Sequence, residues 1–415
     1  MTQFGTRILF IGGSYGGLAS IKKFISLYIE NNATKPIELI LLDPRAGFIN
    51  ILGIPLAIID PKFAAESYLN VENNNIKFNH VETLDPILKN RILKAKTNIK
   101  SPDTLKISYI QGSCVSFINK NSINYQLTGS EDFKQLSFDY TVFSTGRKRA
   151  WPFDPQGFTQ EQFVKEMGTS TAKIEKAKTI SIIGAGALGI EIAGEIKAEM
   201  PEKNVILIHP HPDIPPEVYA AKNFKVSVEK HIRDLNIDLK LNTRIAKEEE
   251  NGDLITTTGD VIKSELNFWC NFHSNNIQPF LPVFQDKVEL PKGEIKVEET
   301  LLVKGLKNIF AIGDVVNLPI IKTAGGAYHQ GERVANSLFN ILIRNEETYH
   351  KVDLKIYPAG MTVVIGRHKS VSQYNNIGDG EIKVNDEDVL GYYHDYCTTS
   401  TKNTMNINGE YEEEE

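Results

Sequence analysis

Two glycine-rich loops are the residues of this chain whose types and spacing predict chemistry. They are Gly12–Gly17 (GGSYGG) and Gly184–Gly189 (GAGALG), and each follows a short apolar run and precedes a stretch with helical spacing. Such a strand–loop–helix unit binds the pyrophosphate of a dinucleotide, because free N–H groups and the positive end of the helix dipole face the anion. The second loop matches G-x-G-x-x-G, whereas the first has Ser14 in place of the middle glycine.

Ser14 decides how the first loop is interpreted. Its side chain is small, and its hydroxyl can donate a hydrogen bond to a phosphate oxygen. We interpret the loop as an altered dinucleotide-binding loop, and an ordinary glycine-rich turn is the alternative. The binding residues expected in the two loops are Gly12, Gly13, Ser14, Tyr15, Gly16, Gly17, Gly184, Gly186, Ala187, Leu188 and Gly189.

The residue that ends the next strand should contact the adenosine ribose. After the first loop this residue is Asp43, 31 positions beyond Gly12 and so further than the roughly 20 of the motif. It could instead be a turn former before Pro44. After the second loop the residue is His209, which would favour a 2′-phosphate if protonated. A surface histidine beside His211 is the alternative, and the choice between NADH and NADPH stays open.

The elements around these loops repeat. Buried strands are predicted at 7–12 and 38–43 and again at 179–184 and 204–209, so two βαβ units start 172 residues apart. Residues 107–146 predict an antiparallel meander, and 245–269 predict short strands. The fold class is therefore α/β, with two Rossmann-like (doubly wound, three-layer) dinucleotide-binding domains and a small α+β C-terminal domain.

Composition excludes several classes of protein. The chain has 415 residues and a net charge of −6, which argues against nucleic acid as the main partner. Its three cysteines, Cys114, Cys270 and Cys397, form no C-x-x-C motif, so neither a redox dithiol nor a metal site is expected. No run approaches the roughly 20 apolar residues of a membrane span. We expect a cytoplasmic protein.

The order of several motifs extends this interpretation. Between and after the loops stand FSTG at 143–146 and NIFAIGD at 308–314, and FINILGIPLA follows Asp43. With these motifs, residues 6–345 resemble the FAD-dependent pyridine nucleotide oxidoreductases. Within that family they resemble the apoptosis-inducing-factor-homologous, ferroptosis-suppressor-like branch, which is related to type II NADH dehydrogenases.

The resemblance implies cofactors and roles. FAD would bind the first loop, and NADH or NADPH the second. Lys322 matches a lysine beside the flavin ring, and Glu191 matches an acid near the nicotinamide. A solvated lysine and a first-turn helix acid are the respective alternatives. The resemblance adds further cofactor-binding residues: Arg45, Val81, Thr145, Gly146, Gly313, Asp314 and Gln330. Gln330 is expected to open a helix that faces the flavin, although core or capping roles are equally compatible.

The resemblance also implies a domain division. An FAD domain would comprise 1–164 and 291–345, an NAD(P)H domain 165–290, and a C-terminal domain with an acidic tail 346–415. One departure is WCNFHS at 269–274, which lacks the glycine expected where the chain returns to the FAD domain.

The expected function is hydride transfer from NAD(P)H to FAD and then electron transfer to a small-molecule acceptor, with a quinone favoured. A reductase of a small redox protein, an oxidase and an NAD(P)H-sensing signalling protein are alternatives. A further alternative is a degenerate paralogue of the family that binds no FAD. Peripheral membrane contact and a homodimer stay open.

Overall fold

The structure is a computed structural model of the chain. It describes residues 5–70, 80–82, 103–218, 220–271, 274–354, 360–366, 369–374, 381–384, 390–391 and 393–405. The predicted acidic tail lies outside these residues.

The strands follow the predicted pattern closely. In the first part of the chain they are Thr6–Ile11 (β1), Ile37–Asp43 (β2), Gly47–Ile49 (β3), Tyr68–Asn70 (β4), His80–Glu82 (β5), Leu105–Asn119 (β6), Ser122–Leu127 (β7), Phe133–Ser137 (β8), Tyr140–Phe143 (β9) and Arg147–Lys148 (β10). Those of the middle part are Thr179–Ile183 (β11), Asn204–Ile208 (β12), Asp238–Lys240 (β13), Ile245–Glu248 (β14), Leu254–Thr256 (β15), Val261–Ile262 (β16), Leu266–Trp269 (β17), Ser274–Asn275 (β18), Val288–Glu289 (β19) and Glu294–Ile295 (β20). The last are Ile309–Ala311 (β21), Met361–Val364 (β22), Ser370–Tyr374 (β23) and Glu381–Val384 (β24).

Helices fill the connections between these strands. They are Tyr15–Glu30 (α1), Ile54–Ala57 (α2), Pro61–Ser67 (α3), Gln160–Lys176 (α4), Ala187–Glu199 (α5), Lys222–Asp234 (α6), Leu281–Phe284 (α7), Ala324–Phe339 (α8) and Thr398–Met405 (α9). In the described part of the chain, none of the helices is long and apolar enough to cross a bilayer.

The first sheet has the order β21-β9-β1-β2-β6-β7-β8, with β5 also beside β6. Its centre is parallel, because β1 pairs in parallel with both β2 and β9. The long strand β6 changes partner along its length. Its first half runs parallel to β2 and its second half antiparallel to β7, which is the predicted meander. Carboxyl ends of β1 and β2 meet at one edge, where the first loop lies.

The second sheet repeats the plan. It has the order β13-β12-β11-β17, and all its pairs are parallel. An antiparallel sheet, β14-β15-β16, accounts for the short strands predicted at 245–269. The two βαβ units and the α/β fold class are therefore confirmed.

The first core extends to residues near one predicted domain boundary. Ile277, Phe280, Phe284 and Val288 are buried with the first sheet, although the sequence-based division assigned residues up to 290 to the NAD(P)H domain. Phe280 packs edge-on against Phe117 of β6, with ring centroids 5.5 Å apart. These side chains thus share the core of the first sheet, since α7 packs against β6. The domain boundaries stay predictions.

Close helix packing brings β21 and α8 to the first loop. A Cβ added to Gly331 of α8 would lie 2.3 Å from the carbonyl oxygen of Gly16, and one added to Gly16 would lie 2.8 Å from Cδ1 of Ile312. Ser20 donates a hydrogen bond to the Gly331 carbonyl at 3.0 Å. Gly16 and Gly331 therefore let α1 and α8 touch through their backbones.

Candidate functional site

The two glycine-rich loops have nearly the same backbone. Gly12 and Gly184 open them with φ of +106° and +114°. A Cβ on Gly12 would lie 2.5 Å from the carbonyl oxygen of Ser144, and one on Gly184 would lie 2.9 Å from that of Cys270. Both positions require glycine, for backbone conformation and for space.

The last glycine of each loop is needed for packing between helix and strand. A Cβ on Gly17 would lie 1.9 Å from the carbonyl oxygen of Gly12, and one on Gly189 would lie 1.9 Å from that of Gly184. No side chain can be added there without moving the backbone. Gly17 of the first loop is thus the counterpart of Gly189.

The middle position of the two loops, Ser14 and Gly186, is under no such constraint. Ser14 and Gly186 both precede the first residue of a helix, with φ of −107° and −72°, which any residue can adopt. The Ser14 side chain makes no capping hydrogen bond, and a Cβ added to Gly186 meets nothing within 4 Å. Neither backbone demands glycine here. Both first turns are left without a side-chain cap and so fit an anion.

In the first loop the ribose-position acid holds the loop itself. Asp43 Oδ2 accepts a hydrogen bond from the Gly13 N–H at 2.7 Å, and Oδ1 accepts one from the Arg45 N–H at 2.9 Å. Burial raises the pKa of Asp43, while Arg45 and these two N–H groups oppose the rise. The carboxylate still has lone pairs available for hydroxyl groups.

The second loop has the same contact with a different acceptor. The Ala185 N–H donates to Nδ1 of His209 at 3.2 Å. His209 is 5% exposed, and burial lowers its pKa to about 4, helped by His211 and Arg244. The ring is therefore neutral near pH 7, so the protonated form considered from the sequence is not the one present. Its Nε2 is buried and has no hydrogen-bond partner among the described residues.

The remaining loop residues have individual positions. Ala187 and Leu188 form the partly exposed first turn of α5. Tyr15 begins α1, and its hydroxyl donates to Oδ1 of the buried Asn50 at 2.5 Å. Val81 lies in β5, and its side chain is outside what the structure describes.

Two crossing segments meet between the sheets. The Thr145 hydroxyl donates to the Asn276 carbonyl at 2.6 Å, and the Asn276 N–H donates to the Gly146 carbonyl at 2.9 Å. Beside them β10 pairs antiparallel with β18. The Asn276 side-chain amide also donates to the Thr145 carbonyl at 3.1 Å, so these contacts hold the return segment just after WCNFHS.

Asp314 lies among cations that the sequence analysis missed. Arg147 Nε is 2.6 Å from Asp314 Oδ2, and Arg149 Nη2 is 3.6 Å from it. The available signal was the run RKR at 147–149, directly after the Ser-Thr-Gly segment. Burial lowers the pKa of Arg149, and Asp314 opposes this.

Gln330 supports the neighbouring turn. Its Oε1 accepts a hydrogen bond from the Gly313 N–H at 2.7 Å, and the side chain is 1% exposed. The helix α8 begins at Ala324 after the cap Thr323, so Gln330 lies in its second turn. The expectation that Gln330 opens the helix is therefore wrong. Its contact with a cofactor stays a prediction.

Lys322 joins the same charged group. It donates to the Val316 carbonyl, and its Nζ is 3.6 Å from Glu294 Oε1. Burial lowers the pKa of Lys322, while Glu294 and Asp314 oppose the fall. With 14% of its side chain exposed, Lys322 is not an ordinary solvated lysine.

Glu191 lies on the other side, in α5. Burial raises the pKa of Glu191 to about 8, the backbone of Val364 opposes the rise, and Glu195 adds to it. Glu191 thus lies close to Val364 of β22, whereas Lys322 is grouped with Asp314 and Glu294.

A buried polar network links that region to the first loop. Asn50, which receives the Tyr15 hydroxyl, donates to the Tyr396 carbonyl at 2.9 Å and to the Thr398 hydroxyl at 2.7 Å. The Tyr396 hydroxyl in turn donates to Glu195 of α5. A lone asparagine in an otherwise apolar run was the only sequence signal for this network, and Tyr396 had none.

Comparison with known proteins follows the same order of motifs. Residues 6–331 match the family model described as pyridine nucleotide-disulphide oxidoreductase. Ferroptosis suppressor protein 1 of Xenopus tropicalis is 23% identical, over 89% of this chain and 88% of that protein. Apoptosis-inducing factor homolog A of Dictyostelium discoideum is 24% identical, over 89% and 85% respectively. The crystal structure of the Aquifex aeolicus sulfide:quinone oxidoreductase aligns with a TM-score of 0.66 at 16% identity, covering 97% of this chain and 92% of that one.

Proposed function

Since this chain belongs to the pyridine nucleotide-disulphide oxidoreductase family, we propose that it is an FAD-dependent NAD(P)H oxidoreductase that reduces a quinone-like acceptor. The observation that carries the proposal is the duplicated loop. Two loops in one chain share the glycine conformations, the close packing and the N–H contact to the second strand. A single dinucleotide would leave one of them without a role.

The first loop fits FAD through its acid. Asp43 holds the N–H groups of Gly13 and Arg45 and keeps acceptor capacity for ribose hydroxyls. The uncapped first turn of α1 would hold the pyrophosphate. When bound, FAD supplies the chemistry of hydride acceptance from NAD(P)H and electron release to a second substrate.

Lys322 would supply positive charge near the flavin. Its Nζ is fixed by the Val316 carbonyl and balanced by Glu294. A cation held in place and largely out of water stabilises developing negative charge without having to reorganise. Burial lowers the pKa of Lys322, and Glu294 and Asp314 oppose this fall, so both acids favour the ammonium form.

Glu191 would act on the nicotinamide side. With a pKa of about 8, its carboxyl group is mainly protonated near pH 7. It can then donate a hydrogen bond and brings no negative charge close to the site. The same proton could leave towards an acceptor, because the carboxylate becomes accessible in the physiological range.

The thiols argue for direct electron transfer from flavin to acceptor. All three cysteines are free. Burial raises the pKa of Cys114 and of Cys397 to about 12, and it raises the pKa of Cys270 further. Buried, protonated thiols make poor relays. A small planar acceptor such as a quinone fits this constraint, and the name of the Aquifex relative includes quinone.

A purely signalling role is the alternative from another class of protein. That alternative was favoured by Ser14 and by the glycine missing from WCNFHS. The backbone at Ser14 does not require glycine, and Asn276 stabilises the return segment. These two observations support an enzyme over a sensor.

The test is the visible spectrum of the purified protein before and after anaerobic addition of NADH or NADPH. We expect flavin absorbance that is bleached by nicotinamide and restored by a soluble quinone. Bleached flavin that reoxidises only with an iron–sulfur protein would replace the quinone by a protein acceptor. Flavin that neither nicotinamide bleaches, or a protein without flavin, would refute the proposal.

A further inference from the structure

The two loops differ most where they would meet the adenosine ribose, and this difference has a consequence for the nicotinamide substrate. We propose that the chain selects NADPH over NADH, and that His209 and Arg244 bind the 2′-phosphate of its adenosine ribose. The inference rests on the proposed function, because it concerns the nucleotide that the second loop would bind.

His209 has the position of a ribose-contacting residue. It follows β12 directly, as Asp43 ends β2, and both accept the N–H of the second loop residue. Its backbone is fixed on both sides by the adjacent segment. The His209 N–H donates to the Lys240 carbonyl and its carbonyl accepts from Thr243, both at 2.9 Å.

The direction of the loop contact decides which nitrogen carries the proton. Because Nδ1 accepts the Ala185 N–H, the proton of the neutral ring is on Nε2. Nε2 is therefore a buried donor without a partner among the described residues. An unpaired buried donor is costly, so a ligand oxygen at this point would be stabilising.

A donor here suits a phosphate better than the usual acid does. A carboxylate at this position accepts from the two ribose hydroxyls and repels a 2′-phosphate. A phosphate oxygen only accepts hydrogen bonds, and so it complements Nε2–H. A hydroxyl could also accept from Nε2–H, so the choice depends on the surrounding charge.

Arg244 supplies positive charge close to His209. Arg244 follows Thr243, which is bonded to the His209 backbone, and its exposed side chain acts electrostatically on His209. The ring of the exposed His211 lies 5.3 Å from that of His209, edge to face. Arginine is the side chain best suited to phosphate, because its fork can bind two oxygens at once.

The experiment is calorimetric titration of the FAD-loaded protein with 2′,5′-ADP and with 5′-AMP, which differ only in the 2′-phosphate. We expect 2′,5′-ADP to bind at least about tenfold more tightly, with a steeper loss of affinity as salt rises. Arg244→Gln should remove most of that difference. The matched control is Lys247→Gln, which removes the same charge from an exposed residue paired with Glu249. It should change the ratio less than about twofold.

A second pair of variants isolates the charge at residue 209. His209→Asn keeps an acceptor for Ala185 and a donor, so the preference for 2′,5′-ADP should persist in part. Aspartate at residue 209 has nearly the same shape as asparagine but adds a negative charge. In His209→Asp the preference should therefore reverse towards 5′-AMP. Equal affinity of the native protein for both probes would overturn the proposal. An effect of Lys247→Gln as large as that of Arg244→Gln would do the same.

Failure of this inference is distinguishable from failure of the proposed function. Titration requires no turnover, so a 2′,5′-ADP preference in a protein that neither NADH nor NADPH reduces would uphold the site and refute the oxidoreductase. Equal reduction of the flavin by NADH and NADPH, with equal probe affinities, would uphold the oxidoreductase and refute the site.

Discussion

The loop after β1 and the loop after β11 make the same hydrogen bond to the end of the neighbouring strand, but to acceptors of different chemistry. In both, an N–H donates to the side chain that follows the second strand, but the acceptor is the Asp43 carboxylate in one and the neutral His209 ring in the other. The glycines keep the backbone alike, whereas the acceptor sets charge and proton. Counting glycines therefore identifies the loop, and the residue at the end of the second strand distinguishes one loop from the other.

The largest expected effect comes from the glycines that both loops share. Gly17→Ala and Gly189→Ala should each lower the free energy of unfolding by about 3 kcal/mol or more, because the new Cβ would lie 1.9 Å from a backbone oxygen. Urea denaturation measures this. Gly168→Ala is the control, since its Cβ would meet nothing within 4 Å and should stabilise α4 by about 0.5–1 kcal/mol. Tolerance of either loop variant would show that the two loops are not built alike.

Gly186→Val should separate binding from folding. The added side chain has open space in the protein but would occupy the position of the pyrophosphate. We expect affinity for NAD(P)H to fall about 100-fold or more, while FAD content and the unfolding midpoint stay near those of the native protein. Fluorescence titration with NADPH measures the first and absorbance the second. Unchanged NADPH affinity would exclude the second loop as the nicotinamide site.

Asp43→Asn should weaken the first loop alone. Asparagine can still accept the Gly13 N–H, but the charge that strengthens hydrogen bonds from ribose hydroxyls is lost. The dissociation constant of FAD, measured by fluorescence on the apoprotein, should rise about tenfold. His209→Asn is the matched change in the second loop and should leave FAD affinity unaltered. If both variants lose FAD equally, the loops do not have separate cofactors.

A smaller effect is expected from the position two residues beyond Gly17 and Gly189. This position is the buried Ala19 in α1 and Glu191 in α5. Burial raises the pKa of Glu191 from 4.5 to about 8, so the folded state retains a proton that the unfolded chain loses earlier. Its contribution to stability is complete below about pH 4.5 and is lost as pH rises towards 8. The unfolding midpoint of Glu191→Gln should fall less than that of the native protein over this range. Glu202→Gln, an exposed change after the same helix, should keep the native pH profile, and a native-like profile for Glu191→Gln would refute the assignment.

The smallest effect should come from the feature that first distinguished the loops. Ser14→Gly should change FAD affinity by less than about threefold, because the backbone at this position has an ordinary negative φ and the hydroxyl caps nothing. Fluorescence titration of the apoprotein measures it. A marked loss of FAD would instead identify the Ser14 hydroxyl as a ligand of the pyrophosphate.

Local patterns predicted what local physics determines. Apolar runs ending in glycine gave β1 and β11, since a buried parallel strand and a left-handed turn each leave a short signature. The Asn50–Tyr396 contact joins residues 346 positions apart and has no periodic signal, so only the folded chain could reveal it. The contact that holds the return segment is equally remote in sequence, since Thr145 and Asn276 are 131 positions apart. His209 follows β12 as its spacing predicted, but its protonation depends on burial and on the Ala185 contact.

The paired crossing segments also limit how the two sheets can move. Two connections without contacts between them would let the two sheets rotate relative to each other about several axes. Here β10 and β18 pair side by side and a hydrogen bond joins Thr145 to Asn276, so the two connections form one two-stranded ribbon. A two-stranded ribbon bends across its face more readily than it shears within its plane. Bending across the face of this ribbon is therefore the motion that these contacts restrict least.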